Sequence, residues 1–302
     1  MCNGISASHH SCLATILVTG ANGMLGQDLC PILESANYTV IKTDVAEMDI
    51  TNGESVESVI STEKPDVVVH CAAYTNVDKA EEDIETARLI NAIGTENVAK
   101  SCAKNNCIMV YISTDYVFAG NGIEPYKPTD KTAPLNNYGL TKWEGEEAVR
   151  KYCEKYYIAR TSWLYGIYGK NFVETMISLA DKPELKVVDD QIGCPTWTVE
   201  LSGGILKLLE EKKPYGTYHI CGSGLTSWYG FAKEIFAQYN KLPLPLGEGA
   251  RSAGEGLKPC TTAEFPRPAK RPAYSVMDND GICRDWKDAL KDYINLRQKV
   301  GK

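Results

Sequence analysis

Two side chains near the middle of the chain have the types and the spacing needed to donate a proton. Tyr138 and Lys142 lie four residues apart, and on a helix that spacing places both side chains on one face. A nearby ammonium group favours the ionised form of a phenol and lowers its pKa from an ordinary value of about 10. Tyr138 is therefore a candidate general acid, and a solvated helical face is the alternative interpretation of the pair.

The composition limits the class of protein that carries this pair. The chain has 302 residues, of which 43% are hydrophobic and 24% are charged, so it can form one large domain or two with a substantial core. Its net charge of -7 argues against nucleic acid or an anionic membrane as a partner. Its 11 cysteines include no Cys-x-x-Cys pair, which favours reduced thiols over a zinc site.

The first residues show no targeting signal. Residues 1–12 are small and polar, and they lack the basic start and the apolar run of a signal peptide. They are predicted to form a flexible N-terminal extension. No stretch approaches the roughly 18 consecutive apolar residues of a membrane span, so we expect a cytoplasmic protein without a membrane partner.

A glycine-rich turn follows the first predicted strand. Residues 14–18 are apolar, Gly20, Gly23 and Gly26 come next, and residues 27–33 are helix-like. Strand, glycine turn and helix in this order are typical of dinucleotide-binding proteins. The glycines allow a tight turn, and the free N–H groups of the helix N-terminus can receive a pyrophosphate. The pattern predicts a Rossmann-type α/β fold with a doubly wound parallel sheet.

Two acidic residues follow the second predicted strand, residues 38–43. Asp44 lies about 20 residues past the turn, where a carboxylate can bind the adenosine ribose and favour NAD over NADP. Lys42 lies beside it and could accept a 2′-phosphate, so NADH and NADPH both remain open. Asp49 and Ile50 follow at a place suited to the adenine. For the two acids, a helix N-cap or a turn is the alternative.

Two further predicted strands bring polar residues to the same edge of the sheet. The strand at residues 65–71 leads into Ala73, Tyr74 and Thr75, and small residues there leave room for a cofactor. A crossover helix over residues 84–104 precedes the strand at residues 107–112, which delivers Thr114, a hydroxyl able to donate to a carbonyl oxygen. In open α/β sheets, ligands lie at the carboxyl ends of the strands.

The glycine turn, the acid, the strand-end hydroxyl and the Tyr-x-x-x-Lys pair occur in one order over residues 20–142. This order resembles the extended short-chain dehydrogenase/reductase family. Four longer segments, residues 71–81, 113–118, 160–166 and 190–196, are similar to the dTDP-4-dehydrorhamnose reductase family within it. The resemblance extends from Ile16 to about Tyr293.

The resemblance implies an activity and a set of site residues. The reaction would be NADH- or NADPH-dependent reduction of the C4 keto group of a dTDP-sugar, dTDP-4-dehydro-L-rhamnose, to dTDP-L-rhamnose. The cofactor would be held by the glycine turn with Met24 and Leu25, by Asp44, Asp49 and Ile50, by Ala73, Tyr74 and Thr75, and by Tyr138 and Lys142. Thr114, Asp115, Trp163, Gln191 and Pro195 would hold the sugar nucleotide, with residues 191–196 closing over it. Tyr116 stands where the related dehydratases carry a glutamate, which disfavours dehydration.

Two other functions agree with the same resemblance. One is reduction of another dTDP-4-keto-6-deoxy sugar, and the other is a non-catalytic regulatory subunit of a methionine adenosyltransferase. Some members of the resembled family bridge a dimer through Mg²⁺ held by glutamates. The ligands for such an ion cannot be assigned in this sequence, so no metal site is predicted, and monomer and homodimer both remain open.

The strict alternation of strands and helices loosens after Thr161. We predict a dinucleotide-binding domain over residues 13–165, to which residues 200–222 return, and a substrate-binding lobe over residues 166–199 and 223–302. Within this half, a helix is predicted at 171–180, a strand at 185–188, a helix at 200–211, a strand at 216–221 and an irregular loop at 241–260. The basic run at 265–272 either meets a pyrophosphate or forms a solvated loop.

Overall fold

The computed structural model describes residues 14–240 and 254–301. The extension predicted for residues 1–12 lies outside the described residues, as do residues 241–253 of the predicted irregular loop. Among the described residues there are twelve strands: β1 Thr15–Thr19, β2 Thr39–Thr43, β3 Val67–His70, β4 Ile108–Thr114, β5 Tyr156–Thr161, β6 Leu164–Tyr165, β7 Leu185–Val188, β8 Ile192–Gly193, β9 Thr196–Trp197, β10 Gly216–His219, β11 Thr226–Ser227 and β12 Leu257–Cys260.

The helices of the described residues lie between these strands. They are α1 Met24–Ser35, α2 Gly53–Glu63, α3 Lys79–Glu82, α4 Ile84–Arg88, α5 Thr95–Lys104, α6 Asn137–Tyr152, α7 Phe172–Ser178, α8 Thr198–Glu210, α9 Trp228–Tyr239 and α10 Trp286–Lys299. Leu89–Gly94 forms a π-helical segment between α4 and α5, and Asp115–Val117 and Thr262–Glu264 are short 3₁₀ turns. Nowhere in 14–240 or 254–301 does a helix have the length and apolar character needed to cross a membrane.

The central sheet has six parallel strands in the order β10-β5-β4-β3-β1-β2. Because all six are parallel, their carboxyl ends meet at one edge. The chain runs outward from β1 to β2 in one direction and from β1 through β3 to β10 in the other. The junction of β1 and β3 is therefore the topological switch point, where open α/β sheets bind ligands. This is the predicted doubly wound α/β fold.

Apolar cores cover both faces of the sheet. One contains Ile16, Val18 and Val69 of the sheet with Leu29 of α1 and Leu201 of α8. The opposite face packs Leu17, Val68 and Met109 against α2 and α5. Burial on both faces explains why these strands are continuous apolar runs rather than alternating ones. A further core is rich in aromatic residues from the second half of the chain, among them Tyr165, Phe231, Trp286 and Tyr293.

The structure changes two of the predicted elements. The single crossover helix predicted at 84–104 is interrupted by the π-helical segment. Within the predicted irregular loop, Leu257–Cys260 is a strand that pairs in parallel with β7. The sequence did not separate this strand from the loop because Pro and Gly surround it, and its partner lies some 70 residues away in the chain.

Candidate active site

A cleft of about 790 Å³ opens at the carboxyl ends of the central strands. It is lined by fifteen of the residues predicted to form the site: Gly20, Gly23, Met24, Leu25, Gly26, Asp44, Asp49, Ile50, Ala73, Thr75, Thr114, Asp115, Tyr138, Lys142 and Trp163. Segments separated by more than 100 residues in sequence therefore meet in one concave space. Such a space is the usual form of a small-molecule site.

The glycine turn is shaped by close approach of backbone to backbone. Gly20 has φ = 63°, and a Cβ atom there would lie 2.8 Å from the Ala72 nitrogen, so only glycine fits. A Cβ at Gly26 would lie 2.6 Å from the Cα of Ala21, which brings α1 down onto the turn. Gly23 is the N-cap of α1 and supplies no side-chain cap, so the first N–H groups of the helix face the cleft without a side-chain acceptor. This arrangement fits an anionic group such as a pyrophosphate.

The two acids after β2 are held by the backbone around them. The Asp44 carboxylate accepts hydrogen bonds from the N–H groups of Asn22, at 3.2 Å, and Val45, at 2.8 Å. Asp49 accepts from the N–H and hydroxyl of Thr51, which fixes the loop that carries Ile50. Lys42 forms an ion pair with Glu34 at 2.8 Å. The Lys42 ammonium is therefore paired, and Lys42 does not line the cleft. The charged residue that lines the cleft after β2 is Asp44.

Helix α6 presents the tyrosine and lysine. The side chain of Asn136 caps the helix by accepting from the Gly139 N–H at 2.8 Å, so the helix begins just before Tyr138. Both Tyr138 and Lys142 line the cleft, as their four-residue spacing predicted. The Lys142 Nζ donates to the Ile112 carbonyl at 2.6 Å and lies 4.2 Å from the centre of the Tyr111 ring.

The acid–base properties of this pair differ from the prediction. Burial raises the pKa of Tyr138 to about 12, a change that Thr114 opposes and Asp115 reinforces. Burial also lowers the pKa of Lys142 to about 7, while Glu146 raises it. The predicted lowering of the Tyr138 pKa by Lys142 is therefore wrong for the protein alone. The physical reason is that desolvation dominates, and the ammonium is bonded to the Ile112 carbonyl.

Thr114, the last residue of β4, and Asp115, which follows it, lie at the floor of the cleft. The Thr114 hydroxyl donates to Asp115 Oδ1 at 3.0 Å, and Asp115 is only 2% exposed. Burial raises the pKa of Asp115 to about 6, against the effect of the Ser275 and Thr114 hydroxyls. Its Oδ2 makes no hydrogen bond of normal length to the described residues. A buried carboxylate oxygen without a partner is costly, and a ligand hydroxyl would satisfy it.

Trp163 is both packed and accessible to the cleft. Its ring stacks on Trp228 with centroids 3.6 Å apart, and a Cβ at Gly193 would lie 2.5 Å from it. Its backbone has φ = 47°, which is unusual for a bulky residue and marks a tightly constrained position. Trp163 therefore contributes both to the packing of this lobe and to the lining of the cleft.

Three predicted site residues do not line the cleft. Tyr74 is tied through its backbone to Asn91, the Gln191 side chain donates to the Thr262 hydroxyl at 3.0 Å, and Pro195 is buried. Their contact with a ligand stays a prediction. The basic run at residues 265–272 does not line the cleft either. Its Arg267 and Arg271 both form ion pairs with Asp78, at 2.6 and 3.0 Å.

Other residues of the site were not predicted from the sequence. Lys170 lines the cleft near the glycine turn. In the chain it follows β6 by five residues and belongs to no strand or helix. Below the cleft, Glu146 of α6 forms a buried ion pair with Arg160 of β5, with N–O distances of 2.8 and 2.7 Å. The Ser113 hydroxyl donates to the same carboxylate at 2.6 Å. The four-residue spacing of Lys142 and Glu146 was the available clue, because it places Glu146 on the face of α6 that carries Lys142.

A buried histidine connects the strand ends beneath the cleft. Thr95 donates to the Asn91 carbonyl at 2.6 Å, so its oxygen accepts from His70 Nε2 at 3.2 Å. The Nδ1 atom of His70 then accepts from the Thr19 hydroxyl at 2.8 Å. This order of donors defines a neutral imidazole. Burial and the nearby Lys142 lower the pKa of His70 to about 3.

We expect the contribution of His70 to the free energy of unfolding to fall as the pH falls from about 6.5 towards 3. Over that range the unfolded chain binds a proton at His70 and the folded chain does not, so this contribution falls by about 1.4 kcal/mol per pH unit. Urea unfolding of the wild type and of His70→Gln at pH 6.5 and 5 measures this. The variant should show the shallower pH dependence, and parallel losses in both proteins would contradict the assignment.

A metal site is not apparent in the described part of the chain. Residues 14–240 and 254–301 contain no group of three or more His, Cys, Asp or Glu side chains placed to hold an ion.

Comparison with known proteins agrees with this geometry. A family model described as the RmlD substrate binding domain matches residues 14–298. The spore coat polysaccharide biosynthesis protein SpsK of Bacillus subtilis is 40% identical, and the match covers 95% of this chain and 99% of that protein.

Two solved structures are similar over nearly their whole length. A dTDP-4-dehydrorhamnose reductase of Clostridium acetobutylicum is 48% identical with a TM-score of 0.87, covering 94% of this chain and 99% of that one. The corresponding enzyme of Bacillus anthracis, solved in complex with NADP, is 40% identical with a TM-score of 0.86 and the same coverage. The chain therefore belongs to the RmlD family, the family of the dTDP-4-dehydrorhamnose reductases.

Proposed function

We propose that the protein reduces the C4 keto group of dTDP-4-dehydro-L-rhamnose to give dTDP-L-rhamnose, with NADPH or NADH as the reductant. The observation that carries this proposal is the meeting of the glycine turn, Thr114, Tyr138 and Lys142 in one cleft. The names of the relatives support the same reaction. The product is a precursor of cell-surface polysaccharide, which agrees with the name of the Bacillus subtilis relative.

The cleft fits a nicotinamide dinucleotide at one end and a sugar at the other. The uncapped N-terminus of α1 and the side-chain-free glycine turn suit a pyrophosphate. Asp44 suits a ribose with free hydroxyls. At the other end, the unpaired Oδ2 of Asp115 and the face of Trp163 suit the hydroxyls and the ring of a sugar nucleotide. When bound, a reduced nicotinamide supplies a hydride to the C4 carbonyl.

Tyr138, Thr114 and Lys142 each have a separate task in this reaction. Tyr138 donates its proton to the oxygen that gains negative charge, and its raised pKa keeps that proton in place at neutral pH. Thr114 would turn its hydroxyl hydrogen from Asp115 Oδ1 to the same oxygen when the substrate binds. Lys142 binds the ribose next to the nicotinamide, anchored by the Ile112 carbonyl. An alkoxide is a stronger base than a phenolate, so the transfer from Tyr138 is downhill.

The proposal is tested by following oxidation of NADPH and NADH after addition of dTDP-4-dehydro-L-rhamnose generated in situ. Formation of dTDP-L-rhamnose at a rate proportional to the enzyme concentration would support the proposal. Tight dinucleotide binding without turnover of this sugar would redirect the assay to other dTDP-4-keto-6-deoxy sugars.

Asp44 is expected to set the choice of cofactor. A carboxylate that binds the 2′-hydroxyl of NADH repels the 2′-phosphate of NADPH, and Lys42 is paired with Glu34 and does not compensate. We expect Asp44→Asn to raise the KM for NADH and to lower that for NADPH. Steady-state kinetics with both cofactors measure the ratio, and Glu63→Gln is the control, because Glu63 is an exposed carboxylate of α2 outside the cleft lining. An unchanged ratio in Asp44→Asn would remove this carboxylate from cofactor selection.

The proposed reaction also assigns roles to the two parts of the chain. Residues 13–165 with 200–222 would hold the dinucleotide, and residues 166–199 with 223–302 would hold the sugar nucleotide. We place the enzyme in the cytoplasm, as a monomer or a homodimer, and sedimentation would distinguish the two.

A further inference from the structure

The cleft carries two cations in the part of the chain that the structure describes, and they differ in availability. The charged residues of its lining are Asp44, Asp49, Asp115, Lys142 and Lys170. Lys142 is 3% exposed, and its ammonium already donates to the Ile112 carbonyl. Lys170 is exposed, and its side chain forms no ion pair or hydrogen bond with residues 14–240 or 254–301. The ammonium of Lys170 is therefore available to an anionic ligand.

The loop that carries Lys170 packs on the first residue of α1. A Cβ at Gly166 would lie 3.1 Å from Met24 Cγ, and a Cβ at Gly169 would lie 3.7 Å from Met24 Cβ. The Nδ2 atom of Asn171 donates to the Gly166 carbonyl at 2.8 Å and lies 4.0 Å from the Met24 sulfur. Residues 166–171 therefore lie against the start of α1, beside the glycine turn.

Hydrogen bonds at both sides fix this loop. The Oδ1 atom of Asn171 accepts from the Glu174 N–H at 3.1 Å and so caps α7. On the other side, the Thr198 hydroxyl at the start of α8 donates to Asp28 of α1. Because the backbone of the loop is held, a ligand that meets Lys170 has to order little more than the lysine side chain.

The position of the loop indicates which anion Lys170 meets. The proposed reaction brings two pyrophosphates into the cleft, one in the dinucleotide and one in the sugar nucleotide. The first N–H groups of α1, which begins at Met24, have no side-chain cap and suit the dinucleotide pyrophosphate. Residues 166–171 contact that same Met24. The loop therefore places Lys170 beside the proposed pyrophosphate site at the start of α1.

We propose that Lys170 binds the pyrophosphate of the dinucleotide, so that the second lobe supplies one side of the cofactor site. The inference rests on the proposed reductase function. An ammonium adds a charge-assisted hydrogen bond to those of the helix N–H groups. The pyrophosphate takes no part in the chemistry, so Lys170 stabilises the bound substrate and the transition state equally. Its loss therefore raises the KM for the cofactor and leaves kcat unchanged.

Isothermal titration calorimetry of Lys170→Met with NADH, NADPH, ADP-ribose and dTDP tests this assignment. We expect the Kd values of the three dinucleotide ligands to rise by one common factor, about fivefold, as for an exposed ion pair. The Kd of dTDP should stay at its wild-type value. The factor should shrink as salt is raised from about 50 mM to about 500 mM, because an exposed charge is screened.

Two further variants separate the charge from other effects of the substitution. Lys170→Arg keeps the positive charge and should retain dinucleotide binding. Lys186→Met removes the same charge from an exposed position of β7, outside the cleft lining, and should leave every Kd unchanged. Equal losses in Lys170→Met and Lys170→Arg would contradict a role for the charge.

Wild-type Kd values for NADH and NADPH in Lys170→Met would overturn the proposal. A loss confined to NADPH would also overturn it, because the ammonium would then meet the 2′-phosphate. A loss confined to dTDP would instead place Lys170 at the sugar nucleotide. Weaker NADH binding in Lys170→Met would support the assignment even if the wild type does not reduce dTDP-4-dehydro-L-rhamnose, a result that would defeat only the proposed reaction.

Discussion

Replacement of Tyr138 by phenylalanine is expected to lower kcat by roughly 100- to 10,000-fold, the usual contribution of a positioned general acid. The change removes one oxygen and keeps the ring, which stands edge-on to Tyr116 with centroids 5.6 Å apart. Helix α6 and its Asn136 cap are untouched. The loss should therefore appear in kcat, and the affinity for the dinucleotide should change little.

Steady-state reduction of the keto sugar measures kcat, and isothermal titration calorimetry with NADH measures binding. Tyr215→Phe is a suitable control because Tyr215 is 46% exposed and lies outside the cleft lining. Turnover in Tyr138→Phe equal to that of the wild type would remove this residue from proton transfer. A parallel fall in NADH affinity would instead indicate a binding role.

The largest expected effect on stability comes from Glu146. This carboxylate is fully buried and meets Arg160, Arg150 and Ser113. Removal of one partner of a buried ion pair leaves the other charge without compensation and costs about 3–5 kcal/mol. We expect Glu146→Ala to lower the free energy of unfolding by that amount, because Arg160 is 1% exposed and has no access to water.

The neighbouring Glu147 provides a matched control. It also pairs with Arg150, at 2.6 Å, but its side chain is 52% exposed. Exposed ion pairs contribute about 0–1 kcal/mol, so Glu147→Ala should be nearly neutral. Urea unfolding of the two variants measures the difference. Equal losses would show that burial of the Glu146 pair does not determine its contribution.

Much of the fold was predictable because its signals are local. The apolar runs of β1 and β3 and the glycine turn each depend on neighbouring residues, and the structure confirms them. The parallel arrangement then places the ends of separate strands at one edge. For this reason the sequence also predicted that Asp44, Thr114 and Tyr138 meet in one cleft.

The rest depended on contacts that a linear pattern does not show. Asn91 in the π-helical turn contacts Tyr74, Thr95 and Gly145, which lie in other turns or elements. The Lys142 ammonium is likewise buried and donates to the Ile112 carbonyl. The Tyr-x-x-x-Lys spacing does not show this contact. The basic run at 265–272 was ambiguous in sequence, because its partner Asp78 is almost 190 residues away.

The stacked pair of Trp163 and Trp228 gives the cleft an optical property. Indole rings emit light at wavelengths where a reduced nicotinamide absorbs, and one of these rings lines the cleft itself. Energy transfer from the pair should therefore dim the intrinsic emission whenever the reduced cofactor enters and restore it when the oxidised cofactor takes its place. The protein thus reports the redox state of its own site without an added label, and a stopped-flow trace of that emission would follow single turnovers.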